Sequence, residues 1–551
     1  MAISASKATS APAFDNAETL DPALRTAIER YERALMANDT DTLSELFADN
    51  PDDIPVVRSD GAGMRVGHNA ITAFRAKRGG APARRLHRRV ARQLDADNAV
   101  VVSEFDKVAG GKVIQTQVWM RIHGEAAGTA GAQDAHRGAR DASGVPGVWR
   151  IVAAHLTYPA PALDRRVWRV AGTPLMPAAK QGPLSGMGVA VKDLYAVAGQ
   201  RIGAGNPDFL ADSPVCETNA DAVDMLRDAG ASIVGIAQTD EFAYSLAGAN
   251  VHYGTPPNPK APDRISGGSS SGPASAVALG QAQIGLGTDT AGSIRIPASY
   301  QGLWGIRTTH DRISRRGIHP LSDSFDTVGW MTRDAQTLGF VARALMPDRE
   351  SGDAIDGLAI ATDLDPLAEH DVREAFEAFR DTALRKSGKQ VDNAGITPNM
   401  LDELLAIFQV VRGFEAWRAN GAWISRHWDS PAPEIAERFR HDATIGEDDY
   451  RRGCTRLEQA RTLVRGIIGR HALLIPSASS VAPFLVNNGD VTMVEHARAQ
   501  TLRLTSIAGV GGLPAVNIPL ETADGLPCGA CLIGPAGSDK TLIELAKELY
   551  R

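Results

Sequence analysis

A serine hydroxyl becomes a nucleophile only when a neighbouring group removes its proton. This chain offers two serines in glycine-rich segments. Ser269 lies in Gly267-Gly268-Ser269-Ser270-Ser271-Gly272, and Ser293, 24 positions on, closes Gly287-Thr288-Asp289-Thr290-Ala291-Gly292-Ser293. Histidine is the usual base. A lysine can replace it if burial lowers its pKa from roughly 10.4 toward 7–8. Lys192 ends the run Met187-Gly188-Val189-Ala190-Val191, which reads as a buried strand, so its ammonium would be desolvated. A hydroxyl bridging Lys192 and Ser293 would supply the reach between them.

Two other readings of the first segment stand beside this one. Gly268-Ser269-Ser270-Ser271-Gly272 satisfies the G-x-S-x-G elbow of α/β-hydrolases, with Ser270 as nucleophile. That elbow follows a strand, whereas this segment follows Pro256, Pro257, Pro259 and Pro262, a loop composition. Taken alone, GGSSSG also matches a flexible linker. Gly287–Ser293 running into Ile294-Arg295-Ile296-Pro297-Ala298-Ser299 does not.

Together the three segments resemble the amidase signature family. The resemblance implies an amidohydrolase that cleaves a small-molecule carboxamide to carboxylate and ammonia or amine through an acyl-enzyme, with no cofactor and no metal. It implies Ser293 as nucleophile, Ser269 as the bridge on a cis Gly268–Ser269 bond, and Lys192 as base. The N–H groups of Thr290, Ala291, Gly292 and Ser293 would form the oxyanion hole. Ser270 would support Ser269 by a hydrogen bond, and Asp289 and Arg295 would pair to brace the turn. Alanine at 291 asks that this residue need no positive φ. Phe242, Tyr244 and Trp330 are the candidates for an apolar acyl pocket.

The likeness extends to Gly205-Asn206-Pro207-Asp208, Asp240–Ser245, His252–Pro256 and Ser324–Trp330. These segments resemble the branch that includes plant indole-3-acetamide hydrolases and the amidase-like part of a plastid import receptor. It spans about 182–345 and 501–520, and 346–500 match only in layout. Gln301 and Thr308 depart from the pattern, standing where cysteine and proline are usual. The alternatives are the amidase subunit of a tRNA-dependent amidotransferase and an idle scaffold with the amidase fold. Such scaffolds lose the nucleophile, and Ser293 is present.

A chain of 551 residues is too long for one ordinary core, so two domains are expected. Hydrophobic content of 43% and charged content of 22% fit a globular protein. A net charge of −7 argues against general nucleic-acid binding. No apolar run reaches the roughly 18 residues of a membrane span. Residues 1–19 read as a disordered lead, neither secretory signal nor transit peptide. Four cysteines without a disulfide framework point to a reducing compartment, the cytoplasm. Cys528 and Cys531 form a C-x-x-C on a predicted strand, where residues three apart face opposite sides.

Residues 20–160 read as an α+β unit, with helices followed by antiparallel strands. Gly124–Gly147 is expected to be a long loop between two of those strands. The closing Trp149-Arg150-Ile151-Val152-Ala153-Ala154-His155 resembles the last strand of the cone-shaped nuclear-transport-factor-2-like fold. The module looks like those fused to bacterial amidases of ureide and cyanuric-acid-type catabolism. Its run Arg84-Arg85-Leu86-His87-Arg88-Arg89 reads as a solvated face or an oligomer contact. We expect this module to pair the chain into a homo-oligomer, a dimer. A proline-bearing linker, 161–181, is expected next. Residues 182–551 then alternate strand and helix: an α/β domain, a mixed twisted sheet covered by helices. There Asp221–Ala229 is predicted to be a helix capped by Thr218 or Asn219, and Leu401–Trp428 a long helical stretch.

Overall fold

The computed structural model describes residues 20–49, 55–60, 63–78, 84–107, 112–123, 147–157, 163–346, 355–485 and 492–551. The lead over 1–19 and the loop over 124–146 lie outside them. The chain divides into two compact units, Met1–Ala162 and Leu163–Arg551.

In the first unit the helix Pro22–Ala37 starts where the Asp21 carboxylate accepts the Ala23 N–H at 2.7 Å. It ends at Asn38, whose φ of 55° turns the chain out of the helix. Leu24, Ile28 and Tyr31 recur at helical spacing and pack with Trp119, Trp149 and Ile151. The strands run in the order 63–66, 57–60, 148–157, 112–122, 98–107, 84–93. The arginine run is not simply a solvated face. The side chains of Arg84 and Arg89 are both largely covered and share Glu32, at 2.9 and 3.1 Å. Five residues apart, they would face opposite sides of a regular strand. A bulge between Leu86 and Arg88 brings them to one side.

The second unit is built on an 11-stranded mixed sheet. Gly188–Lys192 runs parallel to both neighbours, Ile284–Asp289 and Ser232–Ala237. All five of its residues are buried, as suits a strand covered on both faces. The helices Pro398–Ile424, Glu447–Ile468 and Thr492–Gly511 pack over one part of the sheet. Cys528 and Cys531 sit in different core clusters, on opposite sides of their strand.

Two expectations are corrected. The linker over 161–181 contains Trp168–Met176, the edge strand of the sheet, antiparallel to Ser232–Ala237. Pro174, on a cis bond, and Pro177 gave it a linker's composition. An edge strand tolerates proline, because one side of its ladder is unpaired. The helix over Asp221–Asp228 is capped by Ala220 without a side-chain bond. Asn219 instead accepts the Ala198 N–H at 2.7 Å and donates to Asp224 at 2.7 Å.

Candidate active site

Lys192 stands at the end of its central strand, fully buried. Its Nζ donates to Ser269 Oγ at 2.8 Å and to Thr288 Oγ1 at 2.9 Å. Ser269 Oγ in turn donates to Ser293 Oγ at 2.9 Å. The neighbouring strand carries Thr288, with Leu286 in register with Val191, so the sheet itself sets the lysine against that hydroxyl. Burial brings the Lys192 ammonium down to about 7, against the opposing pull of Asp240, Asp326 and Asp289. Burial also pushes the Asp240 and Asp326 carboxyls upward, which weakens that pull.

Ser269 is held by its backbone. The Gly268–Ser269 peptide is cis, and the Ser269 carbonyl accepts from Thr239 Oγ1 at 2.8 Å. Residue 268 must be glycine, because a Cβ there would meet the Asp240 carboxylate at 2.4 Å. The helix Ser271–Ala278 follows directly. Ser270 does not bond to Ser269. Its Oγ donates to the Thr288 carbonyl at 3.2 Å and accepts the Thr288 N–H at 3.3 Å. Ser270 therefore fixes the strand residue that touches Lys192, and its hydroxyl points away from the bridge. Irregular chain, not a strand, precedes this segment, so the hydrolase-elbow geometry is absent.

The turn after Asp289 is organised by that carboxylate. Asp289 receives Arg295 at 2.9 and 3.0 Å and Arg307 at 3.2 Å. Burial alone would raise its pKa, but the two guanidiniums hold it well below the usual carboxylate range. It also accepts the N–H of Gly292 at 2.9 Å and of Ile294 at 3.2 Å. Gly292 is thus corrected: its N–H is committed to Asp289 and is not free for an oxyanion. The N–H groups of Thr290, Ala291 and Ser293 have no hydrogen-bond acceptor among the described residues. Gly292 takes the one positive φ of the turn, 122°, and Ala291 does not.

Beside Ser293 opens a narrow cavity of about 60 Å³, lined among others by Tyr244, Ala291, Leu405, Phe408, Arg412, Arg498 and Leu502. Of the three aromatic candidates only Tyr244 lines it. Phe242 is packed against Phe209, Trp423 and Phe439, and Trp330 is wholly buried in the sheet core with Nε1 donating to the Leu338 carbonyl at 3.2 Å. Both belong to the core. Thr288, Arg412 and Arg498 escaped the reading of the sequence. The signal for Arg412 was its place after Leu405 and Phe408, an arginine on an apolar helical stripe. Arg498 and Leu502, four apart, repeat that pattern.

Comparison with known proteins agrees with this geometry. Residues 171–543 match the model of the family described as Amidase, and residues 14–127 match AtzH-like. "Amidase 1" of Oryza sativa subsp. japonica is 32% identical, over 68% of this chain and 92% of its own. "2-amino-5-chloromuconic acid deaminase" of Comamonas testosteroni is also 32% identical, over 66% and 81%. A crystal structure of an amidase superposes with a TM-score of 0.61 at 27% identity, covering 70% of this chain and 92% of that one. With the greater part of its length matched in both sequence and fold, the chain belongs to the amidase family, an amidase carrying an AtzH-like domain ahead of its catalytic unit.

Proposed function

We propose that this amidase works through Ser293 as nucleophile, Ser269 as proton relay and Lys192 as base. The observation that carries the reading is the unbroken path from Nζ through two hydroxyls, at 2.8 and 2.9 Å, ending beside a cavity. Rotation of both hydroxyls about their Cβ–Oγ bonds reverses the path. Neutral Lys192 then accepts the Ser269 proton while Ser269 accepts that of Ser293. Ser293 Oγ attacks the carbonyl carbon, and the oxyanion meets the N–H groups of Thr290, Ala291 and Ser293. One such donor is worth about 2.7–4 kcal/mol of barrier. Collapse breaks the C–N bond, and the proton held on Lys192 returns through Ser269 to the leaving nitrogen. Water then attacks the acyl-enzyme by the same relay, releasing the acid.

A fluorophosphonate tests the assignment: it should label Ser293, and Ser293→Ala should abolish the adduct. An adduct on Ser270 would overturn it. We also infer a homodimer formed through the first unit. Val90 and Val102 are directly opposed on neighbouring strands and each 39% exposed, a small apolar patch on the sheet face. All four cysteines are free thiols, which fits the cytoplasm. Among the described residues no helix is long and apolar enough to cross a membrane.

A further inference from the structure

The cavity beside Ser293 carries more positive charge than its surroundings neutralise. Arg412 lies over the rings of Tyr244 and Phe408, 4.6 and 5.6 Å from their centroids. It makes no hydrogen bond or ion pair among the described residues, and its Nε is buried without a partner. Arg498, on the opposite helix, reaches Glu495 at 3.2 Å, and its Nε is likewise unpartnered. Glu495 is shared with a third guanidinium, Arg438, at 3.4 Å. The other carboxylate nearby, Asp442, accepts the Tyr244 hydroxyl, and burial pushes its carboxyl upward. Three guanidiniums therefore face one half-exposed glutamate and one carboxyl biased toward its neutral form. Burial, and then Arg438 and Arg412, bring Arg498 down to about 10. Cations crowded in this way are stabilised by an anion between them.

The room available limits that anion. At about 60 Å³ the cavity is small beside the roughly 300–1,000 Å³ of pockets that take drug-sized ligands, so it suits a small group. An acyl chain that starts at Ser293 and ends among the arginines is short. Arginine forks match carboxylates by paired N–H bonds.

We propose that the acyl part of the substrate ends in a carboxylate held by Arg412 and Arg498, which makes the substrate the monoamide of a short dicarboxylic acid. This rests on Ser293 being the nucleophile. The overall reaction balances as monoamide plus water giving dicarboxylate plus ammonium: the C–N bond breaks, a C–O bond forms, and the leaving nitrogen takes up the protons.

Matched pairs of amides test the proposal on the full-length chain. Malonamate, succinamate and glutaramate are compared with malonamide, succinamide and glutaramide, which have nearly the same shape without the charge. For at least one chain length, kcat/KM should favour the monoamide by about 100-fold or more, as expected of a site built around a charged hydrogen-bonding group. Arg412→Met and Arg498→Met should each shrink that ratio to within about threefold, with the loss mainly in KM. Should a variant fail to fold, the wild-type ratio still decides. A wild-type ratio near one overturns the proposal, as does failure to hydrolyse any of the six amides. Fluorophosphonate labelling of Ser293 separates the two levels: with labelling intact only the carboxylate subsite falls, and without it the nucleophile assignment falls too.

Discussion

A lysine can take a proton only when it has none to spare, and burial is what removes it from Lys192. Because its pKa is brought down to about 7, the neutral form predominates above that pH and is lost below it. The profile of kcat/KM against pH should therefore rise about tenfold per unit on the acid side and level off above about 7. Steady-state assays across pH 5 to 10 check this, and a limb centred near 10 would mean that burial does not set the base. Thr288 gives a finer test. Its hydroxyl accepts from Nζ at 2.9 Å, a bond that favours the ammonium. Thr288→Val removes that acceptor at nearly constant volume, so the limb should move to lower pH. Stability should fall by about 1–3 kcal/mol, the cost of an unmade buried bond. That Ser269, Ser293 and Lys192 would meet was legible through the motifs that resemble the amidase signature. Thr288 was not, because only the sheet register brings it to the lysine.

Between residue and fold lies the turn from Asp289 to Arg295. Asp289 holds two arginines and three backbone N–H groups of the same turn, those of Gly292, Ile294 and Arg295. Asp289→Ala would leave both guanidiniums buried and unpaired. We expect a loss of about 3–5 kcal/mol, read from urea unfolding, together with loss of hydrolysis. The turn's glycine pattern was visible in the sequence, but its division of labour was not. That Gly292 faces the carboxylate while its neighbours face the cavity depends on one φ angle. Strand Gly188–Lys192 was readable as a continuous apolar run, whereas Trp168–Met176 was hidden by its prolines. Arg412 lay in the stretch where likeness to the family is weakest, on a helix whose face is decided by what it packs against.

For the whole molecule, the two units carry separate cores and separate sheets. Removing residues 1–162 should leave amide hydrolysis measurable while the sedimenting species shifts from dimer toward monomer. A truncated chain that still sediments as a dimer would place the contact in the second unit. Removing 1–180 should behave differently, because it strips Trp168–Met176 from the sheet and exposes the edge of Ser232–Ala237. Aggregation of that longer deletion, seen in the same sedimentation run, is the expected contrast. The length of the chain, a change of texture near residue 160 and the motifs beyond it pointed to two domains in the sequence. The point of division was not legible, since a proline-bearing edge strand and a linker have the same composition.

The position of Lys192 and Thr288 on adjacent central strands has a consequence for the life history of the enzyme. The contact between them follows from the sheet's register, so it is made once the sheet has formed. The lysine keeps its hydroxyl partner for as long as the sheet keeps its register, so unfolding that loosens these strands should end the contact and the activity together.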